Sequence, residues 1–164
     1  MTTIKSKNVF NIAVKGNFDD CQKLVKDFFV MNSKSQKYNL AAINSINWVR
    51  IMGQIVYYFW SYFRVEKNLA PINYVVPTGN FGNVYAGFFS KCMGLPIKKL
   101  VVSSNKNDIL TRFFSSGEMK KQKVSQSFSP SMDIQVSSNF ERLIFYYTCL
   151  LYTSPSPRDS RVSR

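Results

Sequence analysis

Hydrophobic residues recur at helical spacing in two long stretches of the chain. The first stretch follows a turn at residues 15–17, and its apolar positions are Cys21, Leu24, Val25, Phe28 and Phe29. We expect this helix to pack its apolar stripe against a sheet. The second stretch covers residues 47–64 without proline, and its apolar positions are Val49, Met52, Ile55, Val56, Phe59, Trp60 and Phe63. We interpret the second stripe as buried core and not as a cofactor site.

Short apolar segments of strand composition alternate with helical patterns. The segments are residues 8–14, 72–76 and 98–103, and a helix is predicted over 84–93, where Gly94 and Pro96 end it. Polar residues at 105–108 offer caps for a further helix that ends near Gly117, and a long polar loop is predicted from there to residue 138. Strands and helices that alternate with short links are typical of a parallel sheet with crossover helices, so the sequence predicts an α/β fold.

Composition restricts the functions open to this chain. Of its 164 residues 45% are hydrophobic, which predicts a globular fold. It has no histidine, so Ser-His-Asp and Cys-His triads and histidine-rich zinc sites are excluded. The three cysteines are far apart and odd in number, which predicts no disulfide framework or metal site and favours a reducing cytoplasm. The most apolar stretch, residues 43–63, is interrupted by polar side chains, so we expect no membrane span.

A net charge of +13 suggests nucleic-acid binding at first sight. The lysines, however, are scattered singly or in short pairs, without a dense tract or a stripe along one helix. We therefore expect no nucleic-acid partner. A basic nucleic-acid-binding module stays as an alternative, which salt-dependent retention on nucleic acid would support.

Residues 75–84 (VVPTGNFGNV) form a glycine-rich turn between a predicted strand and a predicted helix. In such a turn, backbone N–H groups and the helix N-terminus converge on an anion, and glycine allows close approach and positive φ, so phosphate is the natural ligand. The spacing excludes the P-loop and the dinucleotide fingerprint. Local chemistry alone favours a simpler interpretation, a tight turn with Asn80 or Asn83 as a helix cap.

A family resemblance changes this balance. Residues 77–83 (PTGNFGN) resemble the phosphate-binding loop of threonine synthase, a pyridoxal-phosphate enzyme of the tryptophan-synthase β-like fold. Other segments between about residues 8 and 140 are similar to that family in the same order, among them 16–22 (GNFDDCQ), 44–47 (NSIN), 86–87 (AG) and 105–108 (NKND). The resemblance implies an internal fragment with a partial tryptophan-synthase β-like (fold type II pyridoxal-phosphate) fold and a mainly parallel sheet.

The resemblance also implies an activity for the parent enzyme. It would convert O-phospho-L-homoserine and water into L-threonine and phosphate, with pyridoxal 5'-phosphate as the cofactor and no metal. The residues that would meet the cofactor's phosphate are Gly79, Asn80, Phe81, Gly82 and Asn83, and Asn83 needs only its backbone there. Another enzyme of the same fold, such as threonine dehydratase or cysteine synthase, is the nearest alternative, but residues 16–22 and 44–47 point away from it.

The resemblance places the family's Schiff-base lysine in a motif that we expect upstream of Met1. The isolated chain is therefore predicted to have no catalytic residue and to be inactive. Lys26, within residues 25–27 (VKD), lies on the first predicted helix and is interpreted as a solvated charge. The cluster at 44–50 is interpreted as a helix cap at Asn44 or Asn47.

The chain is predicted to have three parts, of which the first two follow from the family resemblance. Residues 1–38 are predicted to complete a small mobile domain, and residues 39–147 to supply part of the large cofactor-binding domain. Residues 148–164 resemble translated sequencing-adaptor read-through and are predicted to be a non-native tail. A non-functional truncated product, recognised by aggregation on expression, is the remaining alternative.

Overall fold

The computed structural model describes residues 3–35, 37–44 and 47–153, with the backbone alone for 150–153. The chain divides into two compact units, Met1–Leu40 and Ala41–Arg164. The assignment of residues 1–38, 39–147 and 148–164 to a small domain, a large domain and a non-native tail stays a prediction. Most of that tail, residues 154–164, lies outside the described residues.

The helix of the first unit is α1 (Phe18–Ser35), close to its predicted position. The Asn17 side chain accepts hydrogen bonds from the backbone N–H groups of Asp19 and Asp20 at 2.8 and 3.2 Å. In return, the Asp20 carboxylate accepts one from the Asn17 N–H at 2.8 Å. This reciprocal pair is a capping box, and negative charge in the first turn also suits the helix dipole. Residues within one turn of each other therefore determine where α1 begins.

Two predictions for the first unit are wrong. Residues 8–14 do not form a strand, and Phe10 and Ile12 are 81% and 85% exposed. A strand needs a neighbour for its backbone hydrogen bonds, and the described part of this unit contains no second strand. The described part of this unit also contains no sheet for the apolar stripe of α1, and the exposed members of that stripe include Leu24, Val25 and Phe28.

The second unit has the predicted strand–helix–strand order. Its elements are α2 (Trp48–Val65), β1 (Ile72–Pro77), α3 (Gly82–Cys92), β2 (Ile97–Ser103), α4 (Ile109–Ser116), a 3-10 turn (Pro130–Met132) and α5 (Ser138–Thr153). The two strands pair in parallel, from Ile72 beside Ile97 to Pro77 beside Ser103. A parallel pair needs a crossover, which α3 provides, so this prediction is confirmed. Helix α5 was not predicted. Among the described helices, none is both long and apolar enough to cross a membrane.

Helix α2 contributes to the core with a different face from the predicted one. The buried residues of α2 are Ile51, Tyr58 and Tyr62, whereas Trp60, in the predicted stripe, is 62% exposed. Val49, Met52, Val56 and Phe63 are exposed as well. The helix carries apolar residues nearly all round, so periodicity alone could not select the buried face. Buried tyrosines are favourable here because their hydroxyl groups find acceptors: that of Tyr62 donates to the Ala70 carbonyl at 3.0 Å.

Candidate phosphate-binding site

The glycine-rich loop connects the C-terminal end of β1 to the N-terminus of α3. Its first residue, Thr78, donates its backbone N–H to the Ser103 carbonyl of β2 at 2.8 Å, and its hydroxyl group to the Val76 carbonyl at 2.8 Å. These two bonds hold the entry of the loop against the sheet. The loop therefore lies where a parallel strand ends and a helix begins, a common position for anion binding.

Phe81 is the N-cap residue of α3 and adopts a left-handed backbone conformation, with φ 63° and ψ 1°. This conformation costs a non-glycine residue roughly 1–2 kcal/mol. Burial of the ring offsets it, since Phe81 is 3% exposed and meets the Phe140 ring edge-to-face with centroids 5.1 Å apart. A left-handed residue followed by the helical Gly82 turns successive N–H groups toward one point, which is the geometry of an anion-binding nest.

Glycine would allow positive φ in this loop, but the glycines of the loop do not adopt it. The glycines with positive φ are Gly94 and Gly117, whereas the left-handed residue of the loop is Phe81. Gly79 is required for close approach instead, because a Cβ atom there would lie 3.2 Å from the Met132 Cα and 3.3 Å from the Ile134 Cδ1. Any side chain at this position would push the loop away from the segment behind it.

The oxygen atoms of the loop are held by residues 137–139. The Ser137 hydroxyl donates to the Gly79 carbonyl at 3.0 Å, and Asn139 donates to the Asn80 carbonyl from its backbone N–H at 3.3 Å and from its Nδ2 at 3.2 Å. The Ser138 hydroxyl donates to the Asn80 Oδ1 at 2.6 Å. The carbonyl groups of Gly79 and Asn80, which would repel an anion, are thus bonded to the protein.

The donors of the loop are in the opposite situation. Within the described part of the chain, the backbone N–H groups of Gly79, Phe81, Gly82 and Asn83 have no hydrogen-bond acceptor. The first turn of α3 carries no acidic residue, so no carboxylate there competes with an incoming anion. The N-cap residue makes no side-chain capping bond, so the interpretation of Asn80 or Asn83 as a helix cap is wrong.

Asn83 is held from behind by helix α2. The Tyr58 hydroxyl donates to the Asn83 carbonyl at 2.8 Å and lies 2.7 Å from its Oδ1. Burial, reinforced by the neighbouring Tyr74, raises the pKa of Tyr58 above its usual range, so the phenol keeps its proton and stays a donor. Gly87 permits the close packing behind this contact, since a Cβ atom there would lie 2.7 Å from the Tyr58 ring.

A buried carboxylate supports the segment that contacts Gly79. Asp133 accepts hydrogen bonds from the Ser127 hydroxyl at 2.6 Å and from the side-chain amides of Asn105 and Asn107 at 2.8 and 2.9 Å. The Ser127 bond is the main cause that lowers the Asp133 pKa. Asn105 had been interpreted as a helix cap, and Asp133 as part of an ordinary loop. Asn105 and Asn107 lie 28 and 26 positions before Asp133, so no local pattern indicates these two contacts.

Residues 137–139 are the functional contacts that the sequence analysis missed. The only signal was a Ser-Ser-Asn run ahead of an apolar stretch, which predicts a helix cap and not a contact with a loop 58 positions earlier. In the cluster at 44–50, Asn47 does cap α2, because its Oδ1 accepts from the Val49 N–H at 3.0 Å. Residues 45 and 46 of this cluster lie outside the described residues. Lys26 is exposed on α1, in the first unit.

Comparison with known proteins agrees with the sequence motifs. No protein-family model matches the chain. It is 50% identical to the threonine synthase of Eremothecium gossypii over 149 residues, which cover 90% of this chain and 29% of that protein. It is 51% identical to the threonine synthase of Pseudomonas aeruginosa over 145 residues, which cover 88% of this chain and 31% of that protein.

The fold agrees as well. The solved structure of a PLP-bound threonine synthase from Brucella melitensis matches with a TM-score of 0.70 and 46% identity, covering 84% of this chain and 30% of the other. The chain thus spans about three tenths of the length of the curated relatives it matches. The resemblance to that family is confirmed, as is the partial tryptophan-synthase β-like α/β fold that it implied.

Proposed function

We propose that this chain is a segment of a threonine synthase, an enzyme that converts O-phospho-L-homoserine and water into L-threonine and phosphate. About half of the aligned residues are identical to those of two threonine synthases, over roughly nine tenths of this chain. Because the chain spans about three tenths of those relatives, its own contribution is one part of the site. That part is the loop that binds the cofactor's phosphate.

The proposed cofactor is pyridoxal 5'-phosphate, which supplies an electron sink for carbanion chemistry when it is bound. The residues that would hold its phosphate are Gly79, Asn80, Phe81, Gly82 and Asn83. They would hold it through backbone N–H groups at the N-terminus of α3, where the helix dipole also favours negative charge. Nothing in this contact requires a side-chain charge, which fits a chain whose loop contains neither lysine nor arginine.

One observation carries the proposal: the donors and acceptors of the loop are separated. The carbonyl groups of Gly79 and Asn80 are bonded to residues 137–139. In contrast, the N–H groups of Phe81 and Gly82 have no hydrogen-bond acceptor among the residues that the structure describes. A loop that served only as a turn would gain nothing from a left-handed phenylalanine that costs energy. A phosphate monoester has the several acceptor oxygens that such converging donors require.

We also propose that residues 1–38 belong to a small domain and residues 39–147 to the cofactor-binding domain of the parent enzyme. The proposed substrate is a small molecule, and the proposed location is the cytoplasm. The described cysteines, Cys21, Cys92 and Cys149, form no disulfide bond, which supports a reducing compartment.

The test has two parts. First, the chain is titrated with pyridoxal phosphate, with inorganic phosphate and with pyridoxal. Pyridoxal is the matched control, because it lacks the phosphate. Binding is followed by ³¹P NMR and by amide shifts. We expect pyridoxal phosphate and inorganic phosphate to perturb the amides of residues 79–83 and pyridoxal to leave them unchanged. Second, the reading frame is extended on the source DNA, and the longer protein is assayed for phosphate release from O-phospho-L-homoserine. Failure of both parts would contradict the proposal.

A further inference from the structure

We propose that Ser137, Ser138 and Asn139, called here the 137–139 clamp, position the phosphate-binding loop by fixing the direction of its peptide groups. The inference rests on the proposed function and adds positioning residues that lie outside the loop. The clamp residues lie 58 or 59 positions along the chain from the loop residues that they hold. The contacts are direct, from side-chain donors to loop oxygen atoms.

The planarity of the peptide bond gives the clamp its effect. In a trans peptide the C=O and N–H groups point in opposite directions. When Ser137 binds the Gly79 carbonyl, the N–H of Asn80 is directed away from the clamp, and when Asn139 binds the Asn80 carbonyl, the N–H of Phe81 is directed away as well. The clamp therefore aims two successive N–H groups at the side of the loop where the anion would bind.

The orientation of the Asn139 amide is determined by a third group. The Arg142 guanidinium donates to the Asn139 Oδ1 at 3.1 Å, so the Nδ2 of Asn139 is the atom that faces Asn80. Ser137 is 2% exposed and Asn139 is 1% exposed, so water has little access to the donors of these bonds. A clamp that is this buried holds one arrangement before any ligand arrives, which is the condition for preorganised binding.

The same stretch of chain also supports Phe81. Phe140, next in sequence to the clamp, contacts the Phe81 ring and is itself 3% exposed among Phe113 and Phe114. The start of α5 thus determines both the direction of the carbonyl groups and the left-handed backbone of the N-cap residue. The aromatic contact involves none of the clamp side chains, so we expect positioning and folding to be separable by mutation.

The decisive variant is Ser137→Ala, which removes one donor and little volume. Its matched control is Ser90→Ala, because Ser90 is fully buried and its hydroxyl also donates to a backbone carbonyl, that of Ala86 at 2.9 Å, but within α3 and away from the loop. Ser137→Thr, which keeps the hydroxyl group, is the rescue variant. Each protein is measured for its thermal midpoint, for its dissociation constant with inorganic phosphate and pyridoxal phosphate, and for the amide shifts of Asn80 and Phe81.

We expect Ser137→Ala to weaken phosphate binding about tenfold, the effect of losing one well-aligned hydrogen bond, and to shift the two loop amides. Ser90→Ala should lower the thermal midpoint without either change, and Ser137→Thr should bind nearly as well as the wild type. Equal binding by both alanine variants, at matched stability, would overturn the clamp. If Ser137→Ala does not fold, Asn139→Asp, which keeps the size of the side chain but removes its Nδ2 donor to the Asn80 carbonyl, tests the second of the two carbonyl contacts by the same measurements.

The two proposals fail in different ways. A wild-type chain that binds neither inorganic phosphate nor pyridoxal phosphate contradicts the proposed function. The amide shifts and hydrogen exchange of Asn80 and Phe81 in the unliganded Ser137→Ala variant then still decide the clamp. If the amide shifts and the hydrogen exchange of Asn80 and Phe81 are the same in the variant as in the wild type, the clamp is overturned, whether or not the wild-type chain binds phosphate.

Discussion

Helices α1 and α3 are stabilised in opposite ways. α1 begins with a capping box made by its own first residues, yet of its 18 residues only Gln22 is buried. α3 begins at a left-handed Phe81 without any side-chain cap, yet six of its 11 residues are buried. The contrast shows that a helix start can be satisfied locally or left open. At α3 the tertiary packing stabilises the helix, and its first N–H groups stay available for a ligand.

The largest expected effect comes from a substitution in α5 that removes the tertiary packing at the start of α3. Phe140→Ala should destabilise the chain by about 3 kcal/mol, because it removes a buried ring and leaves a cavity beside Phe81. Phe145→Ala on the same helix is the control, since Phe145 is 69% exposed and should cost little. Urea unfolding of both variants measures the difference. Equal losses would mean that the aromatic contact does not support α3.

The packing of α3 against α2 can be tested with two glycines. Gly87→Ala should destabilise the chain by about 2 kcal/mol, because the new Cβ would lie 2.7 Å from the Tyr58 ring and 2.9 Å from the Leu100 Cδ2. Gly53→Ala, in the middle of α2 with nothing within 4 Å of its Cβ, should stabilise it by about 1 kcal/mol through helix propensity. Thermal unfolding decides, and the same sign for both substitutions would contradict the packing described for Gly87.

For α1 the sensitive position is the cap. Asn17→Ala should cost about 1 kcal/mol of helix stability, because the N–H groups of Asp19 and Asp20 lose their acceptor. Asn17→Ser keeps an acceptor and should behave like the wild type. Amide hydrogen exchange within α1 is the measurement, since the loss is local. Faster exchange that extends to α3 would show that the two helices are not stabilised separately.

The smallest expected effect is on the stability of the chain at low pH. Hydrogen bonds, that from Ser127 first, lower the Asp133 pKa below its ordinary value of 3.8. A carboxyl whose folded-state pKa is depressed contributes stability that is fully present above the ordinary value and is lost as the pH falls through the folded-state value. Ser127→Ala should raise the Asp133 pKa and move the loss of stability to higher pH. Urea unfolding between about pH 2 and pH 6 tests this, and an unchanged acid limb would contradict it.

Several features of the chain were predictable because they depend on neighbours in sequence. The start of α1 after the turn at 15–17, the strand–helix–strand order around residues 72–103 and the loop at 77–83 all follow from propensities and turn residues within a few positions. The family resemblance rested on the same local segments. Two strands of suitable composition with a helix between them leave few arrangements other than a parallel pair.

Other features depended on partners that the sequence does not specify. The stripe predicted to be core on α2 is largely exposed, since a helix that is apolar nearly all round can bury more than one face. The strand predicted at residues 8–14 did not form, because strand composition cannot supply a neighbouring strand. Both predictions were wrong for the same reason, because the contact that selects the outcome is non-local.

The sequence by itself determined where the loop lies, between a strand and a helix, and which residues it contains. Only the tertiary structure decided that Phe81, and not a glycine, is the left-handed residue, and that Ser137 and Asn139 hold the loop's carbonyl groups. The physical reason is range. Propensities and caps act within about one helical turn, whereas burial and hydrogen bonding across 58 positions exist only after the chain has packed.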